Sequence, residues 1–192
     1  GCGTGNFLTK VAPICQNLYG LDPHKYHNQK IENIYQGKVE NIPFDNNMFD
    51  FISCFDVLEH VKNPKEALDG IMRVLKPGGF AIITVPACQS IYGPHDRDLE
   101  HYRRFSKASF EAMVDKRFEI MKSTYFNSLL FPVEYPIRLL ERLINKQITK
   151  DSAPKPFMNK MLFKIFNSEK GWLLNHSYPI GISYLIVLRK RR

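Results

Sequence analysis

Three absences narrow the function of this chain before any motif is considered. No run of apolar residues approaches the roughly 18 that a membrane-spanning helix needs. The four cysteines form no Cys-x-x-Cys pair, so the sequence carries no such metal or redox motif and favours free thiols in a reducing cytoplasm. No internal repeat or low-complexity tract is visible. We therefore expect an ordinary globular chain without a disulfide framework or a membrane span.

Negative charge is scarce in the second half of the chain. The 192 residues carry a formal net charge of +8, but residues 1–100 hold 9 basic and 12 acidic side chains, whereas residues 101–192 hold 18 basic and 7 acidic ones. The last four residues, Arg189 to Arg192, are all basic. The proportions of apolar residues (44%) and charged residues (24%) are typical of a globular domain. This asymmetry predicts that an anionic partner is bound by the second half.

A strand, a helix and a strand follow one another in the middle of the sequence. The mostly apolar segment Phe49–Phe55 and the β-branched segment Phe80–Val85 predict two buried parallel strands. Between them, Asn63 is placed to cap a helix whose apolar face ends at Leu75, and we expect Pro77-Gly78-Gly79 to terminate it. Such a unit requires a parallel sheet covered on both faces, so the fold class is α/β.

Weaker signals extend this alternation in both directions. The pattern predicts helices over residues 6–12 and 106–115, and strands over residues 17–22, 118–124 and 183–188.

Residues 126–172 do not follow the alternation. Two amphipathic stretches, residues 129–144 and 157–166, predict an inserted helical lid packed on the ligand cleft. A second interpretation is a helix lying on an anionic membrane surface, where it reaches a lipid-linked acceptor. This second interpretation depends on basic side chains interleaved with large apolar ones, namely Lys160, Lys164 and Lys170 beside Phe157, Met161, Phe163, Phe166 and Trp172.

The chain opens with a glycine-rich segment. Gly1, Gly3 and Gly5 are spaced so that a strand can turn sharply into a helix while its backbone approaches a ligand. A nicotinamide-cofactor fingerprint would place a glycine where Asn6 stands, which argues against an oxidoreductase. Asp22 follows at the spacing of a carboxylate that binds ribose hydroxyls, although Asp22-Pro23 also suits an ordinary strand-ending turn. Together these residues predict a nucleoside-containing cofactor.

Six short motifs follow one another in a fixed order through the first half. They are Gly1-Cys2-Gly3-Thr4-Gly5, Gly20-Leu21-Asp22-Pro23, Gln36 to Phe44, Phe49 to Ile52, Asp56 to Val61, and Leu75 to Gly79. In this order and spacing they resemble the motifs of class I S-adenosylmethionine-dependent methyltransferases. The resemblance covers residues 1 to about 125 well and the terminal strand more loosely.

The resemblance implies a Rossmann-like fold: a mostly parallel seven-stranded sheet with helices on both faces and an antiparallel last strand. Because the chain opens at Gly1 without a methionine, we expect the first strand of that sheet to be missing from this chain. On this basis residues 1–125 are the cofactor-binding core, residues 126–172 a helical insert before the last strand, and residues 173–192 the terminal strand and basic tail.

The same resemblance implies positions for the cofactor S-adenosylmethionine. The glycine loop, with Gly1, Cys2, Gly3 and Gly5, would lie under the methionine moiety and Asp22 would bind the ribose. Val39 and Glu40 would lie near the adenine, and Phe55 near the sulfonium. Lys38 departs from the family pattern, because many relatives have an acid there that accepts a hydrogen bond from the adenine amino group.

Candidate acid–base residues follow the two central strands. They lie where open α/β sheets place their ligands, and they are Asp56, Glu59, His60, His95 and His101. Methyl transfer from a sulfonium needs positioning rather than a covalent nucleophile, but a hydroxyl acceptor also needs a base.

Three interpretations of this cluster remain open. His101, with His60 beside it, is a general base, while Tyr102, Arg103 and Arg104 bind an anionic acceptor. Alternatively, a divalent metal is held by the acid-x-x-Glu-His pattern and a distant histidine, which resembles metal-dependent ribose and ubiquinone-pathway O-methyltransferases; its ligands would be Asp56, Glu59, His60 and His101. In the third interpretation these side chains are structural. The sequence favours the catalytic use of His101 over the metal.

We therefore expect a methyltransferase acting on a small-molecule, sugar or lipid-linked acceptor, at a hydroxyl group. Its expected location is the cytoplasm, with peripheral contact to the inner face of a membrane as the second interpretation of the insert. The rivals are an RNA methyltransferase, suggested by the basic tail, and a non-catalytic scaffold on a methyltransferase fold, suggested by Lys38. The sequence leaves the acceptor and the oligomeric state open.

Overall fold

The computed structural model of the chain describes residues 1–28, 30, 32–148 and 156–192. Helices and strands alternate through most of this length. In chain order they are α1 (Asn6–Val11), β1 (Gly20–Asp22), β2 (Ile34–Gln36), β3 (Phe49–Phe55), α2 (Pro64–Val74), β4 (Leu75–Pro86), α3 (Pro94–Asp98), α4 (Lys107–Glu111), β5 (Phe118–Phe126), α5 (Phe131–Ile144), α6 (Pro156–Asn175) and β6 (Ser183–Lys190).

The main sheet has four strands in the order β3-β4-β6-β5. β3 and β4 are parallel, while β6 runs antiparallel to both β4 and β5, so the predicted parallel unit and the antiparallel last strand are confirmed. β1 and β2 form a separate parallel pair.

The expected sheet of seven strands is not what the described residues form, because a loop rather than a ladder joins the two sheets. The amine of Gly1 donates to the carbonyl oxygen of Leu21 in β1 at 2.9 Å. A Cβ atom at Gly1 would lie 2.9 Å from the Val57 side chain, just after β3. The main chain of the glycine loop therefore lies between the carboxyl ends of β1 and β3.

The core lies between α2 and the main sheet. The predicted apolar face of α2 is buried throughout, and it meets the alternating buried residues of β4 and β6. The buried side chains of this interface include Leu68, Ile71, Met72, Leu75, Ala81, Ile83, Val85, Ile186 and Leu188.

The end of α2 differs from the prediction. The helix stops at Val74 and β4 begins at Leu75, so Pro77-Gly78-Gly79 lies inside the strand instead of ending the helix. The reason is a close approach of two backbones: a Cβ atom at Gly79 would lie 3.0 Å from the carbonyl oxygen of Asp50. Gly79 is therefore needed for pairing with β3 rather than for a helix terminus.

The basic C-terminus is built into the fold. Lys190 donates to the carbonyl oxygens of Met72 (2.8 Å) and Leu75 (2.7 Å), and the Arg189 guanidinium lies over the Phe80 ring. The predicted basic tail thus holds the end of α2 against β6.

Both helices of the predicted insert are present, as α5 and α6. The second half of α6 is attached to the rest of the molecule: Glu169 accepts from the Leu129 amide at 2.7 Å, and the Lys122 ammonium donates to the carbonyl oxygen of Leu173. In the described part of the chain, no helix has the length and apolarity required to cross a membrane.

Candidate functional site

The glycine loop is held in place by Asp22. Its carboxylate accepts hydrogen bonds from the backbone amides of Gly3 (2.8 Å) and His24 (2.9 Å), and the residue is only 4% exposed. Gly3 and Gly5 both have left-handed backbone conformations, with φ of 54° and 89°. Each carboxylate oxygen keeps a second lone pair that can accept a ribose hydroxyl. Asp22 can therefore shape the loop and bind a ribose with the same group.

The loop leaves space for a ligand beside Gly3. A Cβ atom built at Gly3 would have no atom within 4 Å, although a side chain would be strained at that φ. Gly1 and Cys2 complete the same loop, and burial raises the pKa of the Cys2 thiol. The residues present thus fit a nucleoside cofactor.

Val39 follows a strand of the small sheet, and Phe55 ends a strand of the main sheet. Val39 begins a short 3₁₀ helix (Val39–Asn41) after β2, and the Gly37 amide just before it donates to the carbonyl oxygen of Asp22 at 2.9 Å. Phe55 ends β3, with its half-buried ring packed edge-on against Phe7 at 5.1 Å. The structure therefore orders these predicted cofactor residues around the glycine loop, and their contact with a cofactor stays a prediction.

A second cleft, of about 440 Å³, opens between α5 and the loops that follow β3 and β4. All five candidate acid–base residues lie on its wall: Asp56, Glu59, His60, His95 and His101. The opposite wall is α5, which contributes Glu134 and Arg138. The cleft is therefore lined by charged and ionisable groups.

His101 is oriented by a buried carboxylate. Its Nδ1 atom lies 3.0 Å from Oδ1 of Asp96, and the Asp96 side chain is 1% exposed. Arg104 donates to the same oxygen at 2.7 Å, and the Gly93 amide donates to the other at 3.0 Å. Burial alone would raise the pKa of Asp96, but the hydrogen bond from His101 and the charge of Arg104 outweigh it and lower that pKa. An ionised Asp96 holds the proton on Nδ1 of His101, which leaves Nε2 as the basic atom.

Glu59, His60 and His101 converge on one point. One ligand atom from each lies within 4.8 Å of the others, and the two imidazole rings are 4.7 Å apart. Oε2 of Glu59 is buried and finds no hydrogen-bond partner among the described residues. Burial raises the pKa of Glu59 to about 8, and burial together with the charge of His101 lowers the pKa of His60.

These three groups can act as neutral acid–base partners or as ligands of a divalent cation. Asp56, the fourth predicted ligand, lies outside this group and instead accepts from the Thr84 hydroxyl at 3.2 Å. One carboxylate and two imidazoles are a donor set that fits a divalent transition metal. Such a metal would give the buried Oε2 of Glu59 the partner that it lacks among the described residues.

The predicted acceptor-binding residues are placed differently from the expectation. Arg104 lines the cleft, but its guanidinium is bonded to Asp96 and to the carbonyl oxygen of Ala87 (3.2 Å). Arg103 donates to the carbonyl oxygen of Lys62, and Tyr102 is half exposed. Arg104 thus supports Asp96 rather than offering a free cation to an acceptor.

No sequence pattern predicts a functional role for Asp96, Glu134 or Arg138. Asp96 lies in the five-residue helix α3, five residues before His101, and a helix this short has no periodicity from which to predict a contact. Glu134 and Arg138 have the i,i+4 spacing of a common surface ion pair, which gives no sign that they face a cleft.

The comparisons with known proteins agree with the geometry of the glycine loop. Residues 1–83 match a family model described as a methyltransferase domain. An uncharacterized protein of Methanocaldococcus jannaschii is 32% identical over 182 residues, covering 88% of this chain and 76% of its own. A ubiquinone biosynthesis O-methyltransferase of Rickettsia canadensis is 26% identical over 145 residues, covering 62% of this chain and 61% of its own. The chain thus spans about three fifths of that relative's length.

The fold also matches solved structures. The YcgJ protein of Bacillus subtilis aligns over 100% of this chain and 90% of its own, with a TM-score of 0.60 and 19% identity. At that identity the likeness concerns the fold alone.

Proposed function

This chain belongs to the class I S-adenosylmethionine-dependent methyltransferases, and we propose that it methylates a hydroxyl group of a small-molecule, sugar or lipid-linked acceptor bound in the charged cleft. The observation that carries the proposal is the pair formed by His101 and the buried Asp96. An oriented imidazole with a buried anionic partner is the arrangement that general-base catalysis requires.

Binding of the cofactor is assigned to the glycine loop and Asp22. When bound, S-adenosylmethionine supplies a methyl group already activated by its sulfonium. Asp22 would accept the ribose hydroxyls with the lone pairs that the Gly3 and His24 amides leave unused. Gly3 provides the open backbone beside which the ligand lies.

The protein's own chemistry is then the removal of one proton. Nε2 of His101 would take the proton of the acceptor hydroxyl, which leaves the oxygen an electron pair for the methyl carbon, while the sulfonium sulfur would keep the electron pair of its broken bond to that carbon. Asp96 stabilises the imidazolium that results, as Arg104 and the Gly93 amide hold its carboxylate in place. Glu59 is neutral below its raised pKa of about 8, so it adds no competing negative charge to the cluster there.

A metal-dependent form of the same reaction is the second candidate, favoured by the buried Oε2 of Glu59. Glu59, His60 and His101 would hold the cation, which would polarise the acceptor hydroxyl. The two forms exclude each other at Nε2 of His101, because one lone pair cannot both bind a metal and accept a proton.

The two rival functions have less support. Lys190 and Arg189, which suggested a nucleic-acid-binding tail, are engaged with Met72, Leu75 and Phe80. Asp22 still holds the glycine loop through its bond to the Gly3 amide. A scaffold that no longer bound a cofactor would not need this arrangement.

The experiment is a comparison of His101→Asn with a matched control, His176→Asn, which changes an exposed histidine on the segment after α6. Transfer of a labelled methyl group from S-adenosylmethionine into a cell extract, separated into aqueous and lipid phases, measures activity. Binding of S-adenosylhomocysteine, measured by calorimetry, shows whether the cofactor site is intact.

We expect His101→Asn to lower transfer by about 100-fold to 10,000-fold with cofactor affinity unchanged, and His176→Asn to do neither. Full transfer by His101→Asn would contradict the proposal. Loss of wild-type transfer in a chelator, restored by a divalent metal, would select the metal-dependent form.

A further inference from the structure

Helix α5 is oriented with its charged side towards the protein. Glu134 and Arg138 line the cleft, and Glu141 is buried, where it accepts from the Ile148 amide at 2.8 Å. The Arg142 guanidinium donates to the carbonyl oxygen of Ser90 in the loop after β4. All four charged residues of this helix therefore make contacts on its inner side.

The outer side of α5 is apolar. It exposes Val133, Leu140, Leu143 and Ile144, of which Leu143 is 74% exposed. A helix on the surface of a globular protein normally has the opposite orientation, with apolar residues inward and charges in water. The charged cleft explains why the polar side of α5 faces inward, but nothing in the described chain covers the apolar side.

Helix α6 also exposes apolar side chains. Large apolar side chains are exposed along its whole length: Phe157, Met158, Met161, Phe163, Phe166, Trp172 and Leu174. Phe157 is 82% exposed. Exposed apolar surface of this extent marks an interaction site.

The charges of α6 indicate the kind of partner. Its three lysines, Lys160, Lys164 and Lys170, are exposed, whereas its one acidic residue, Glu169, is buried and bonded to the Leu129 amide. The exposed charge of the helix is thus entirely positive. A second copy of the chain seated on this surface would bring two sets of lysines together, which opposes a dimer.

We propose that the outer side of α5 and the exposed side chains of α6, here named the α5–α6 surface, bind peripherally to an anionic lipid bilayer. Apolar side chains enter the boundary between head groups and acyl chains, while the lysines contact anionic head groups. Binding is peripheral because no described helix can cross the bilayer. This inference does not depend on the identity of the methyl acceptor.

The first test is sedimentation of the protein with phosphatidylcholine vesicles, prepared with and without phosphatidylglycerol. We expect binding to the anionic vesicles at low salt and much weaker binding to the neutral ones. The double variant Leu143→Ser/Phe163→Ser should lower the affinity by about tenfold or more, since it removes two exposed apolar side chains. Ile14→Ser is the matched control, because Ile14 is equally exposed (84%) but lies after α1.

Absence of sedimentation with anionic vesicles at low salt would overturn the proposal, and so would equal effects of the double variant and the control. A second pair of variants separates charge from apolar contact. Lys160→Gln and Lys164→Gln should each weaken binding to anionic vesicles about fivefold, with little effect at high salt.

Light scattering of the protein without lipid tests whether a second copy of the chain covers the α5–α6 surface instead. The proposal expects the double variant and the wild type to have the same mass. A wild-type dimer that the double variant abolishes would assign the α5–α6 surface to a second copy and overturn the proposal.

Discussion

Asp96 shows how one side chain can determine the chemistry of its neighbour. It belongs neither to the glycine loop nor to the three groups that could hold a metal, yet its bond to Nδ1 fixes which nitrogen of His101 faces the cleft. We therefore regard Asp96 as a positioning residue. The Asp96 carboxylate is itself fixed by hydrogen bonds from Arg104 and the Gly93 amide. Because this side chain is already ordered, its bond to His101 costs little further conformational entropy.

Asp96→Asn tests this role. The amide cannot stabilise the imidazolium as a carboxylate does, so we expect transfer to fall by about 100-fold or more. The loss should fall on kcat, with KM nearly unchanged, because the bond from Asp96 matters only when His101 takes the proton.

Calorimetric binding of S-adenosylhomocysteine controls for folding of the Asp96→Asn variant. A purely structural role would lower the melting temperature and leave kcat of the folded protein unchanged. That outcome would contradict the assignment.

Glu59 makes stability depend on pH. Its pKa is raised from 4.5 to about 8 by burial, so the folded state binds this proton more tightly than the unfolded state. Stability should therefore fall as pH rises from about 4.5 to about 8. In chelator-containing buffer, the free energy of unfolding of Glu59→Gln should exceed that of the wild type by about 5 kcal/mol above this pH range and nearly equal it below the range.

Urea unfolding at several pH values measures the difference, with Glu40→Gln, an exposed glutamate, as control. Parallel pH profiles for Glu59→Gln and the wild type would show that Glu59 ionises normally.

At the scale of elements, the sequence predicted the strands and helix faces that a local hydrophobic pattern defines. The run Phe49–Phe55 has the predicted bounds, but the prediction that it is a buried strand was wrong. Only Cys54 is buried and Phe51 is 55% exposed, because β3 lies at the edge of the main sheet and an apolar run does not show which strand is central. The buried face of α2 was also predicted, since a 3.6-residue period defines it. Pro77-Gly78-Gly79 was misassigned because a glycine needed for close strand pairing looks the same in sequence as one that ends a helix.

The residues of the charged cleft were predicted only where strand order places them. Glu59, His60 and His101 could be grouped because they follow strands whose carboxyl ends meet at one edge of the sheet. The contributions of Asp96 and of α5 depend on how loops and the insert fold back, and no local pattern encodes that. The inward charges of α5 in particular contradict the usual orientation of an amphipathic helix.

The contact between β6 and the end of α2 gives a prediction at this scale. Lys190 donates to Asn47 as well as to the carbonyl oxygens of Met72, in the last turn of α2, and of Leu75, the first residue of β4. Lys190→Met should therefore lower the free energy of unfolding by about 1–3 kcal/mol, because buried acceptors lose a charged donor.

Chemical denaturation measures this loss, and Lys116→Met, at an exposed lysine, is the control. Equal stability of the two variants would show that Lys190 is dispensable to α2.

At the scale of the whole molecule, the glycine loop joins two sheets between which the described residues form no ladder. Asp22 ends a strand of the small sheet, and Val57 beside Gly1 follows a strand of the large one. A ligand bound at the loop should therefore stabilise the chain as a unit. At a concentration about 100 times its Kd, S-adenosylhomocysteine should add about 2.7 kcal/mol to the free energy of unfolding.

Asp22→Asn should remove most of this gain at the same ligand concentration, because one end of the amide is a donor and repels the loop amides. Thermal unfolding with and without ligand measures it, and Asp69→Asn, an exposed aspartate of α2, is the control. A full ligand-induced shift in Asp22→Asn would contradict the role of Asp22.

The position of the one tryptophan has a practical consequence. Trp172 lies on α6, half exposed and stacked on His176, with rings 4.0 Å apart. Tryptophan fluorescence of this chain therefore reports on one surface helix and not on the core between α2 and the sheet. A blue shift on contact with vesicles would be a direct optical signal from that helix. In an unfolding experiment, the same emission would follow detachment of α6, while circular dichroism follows the loss of the fold as a whole.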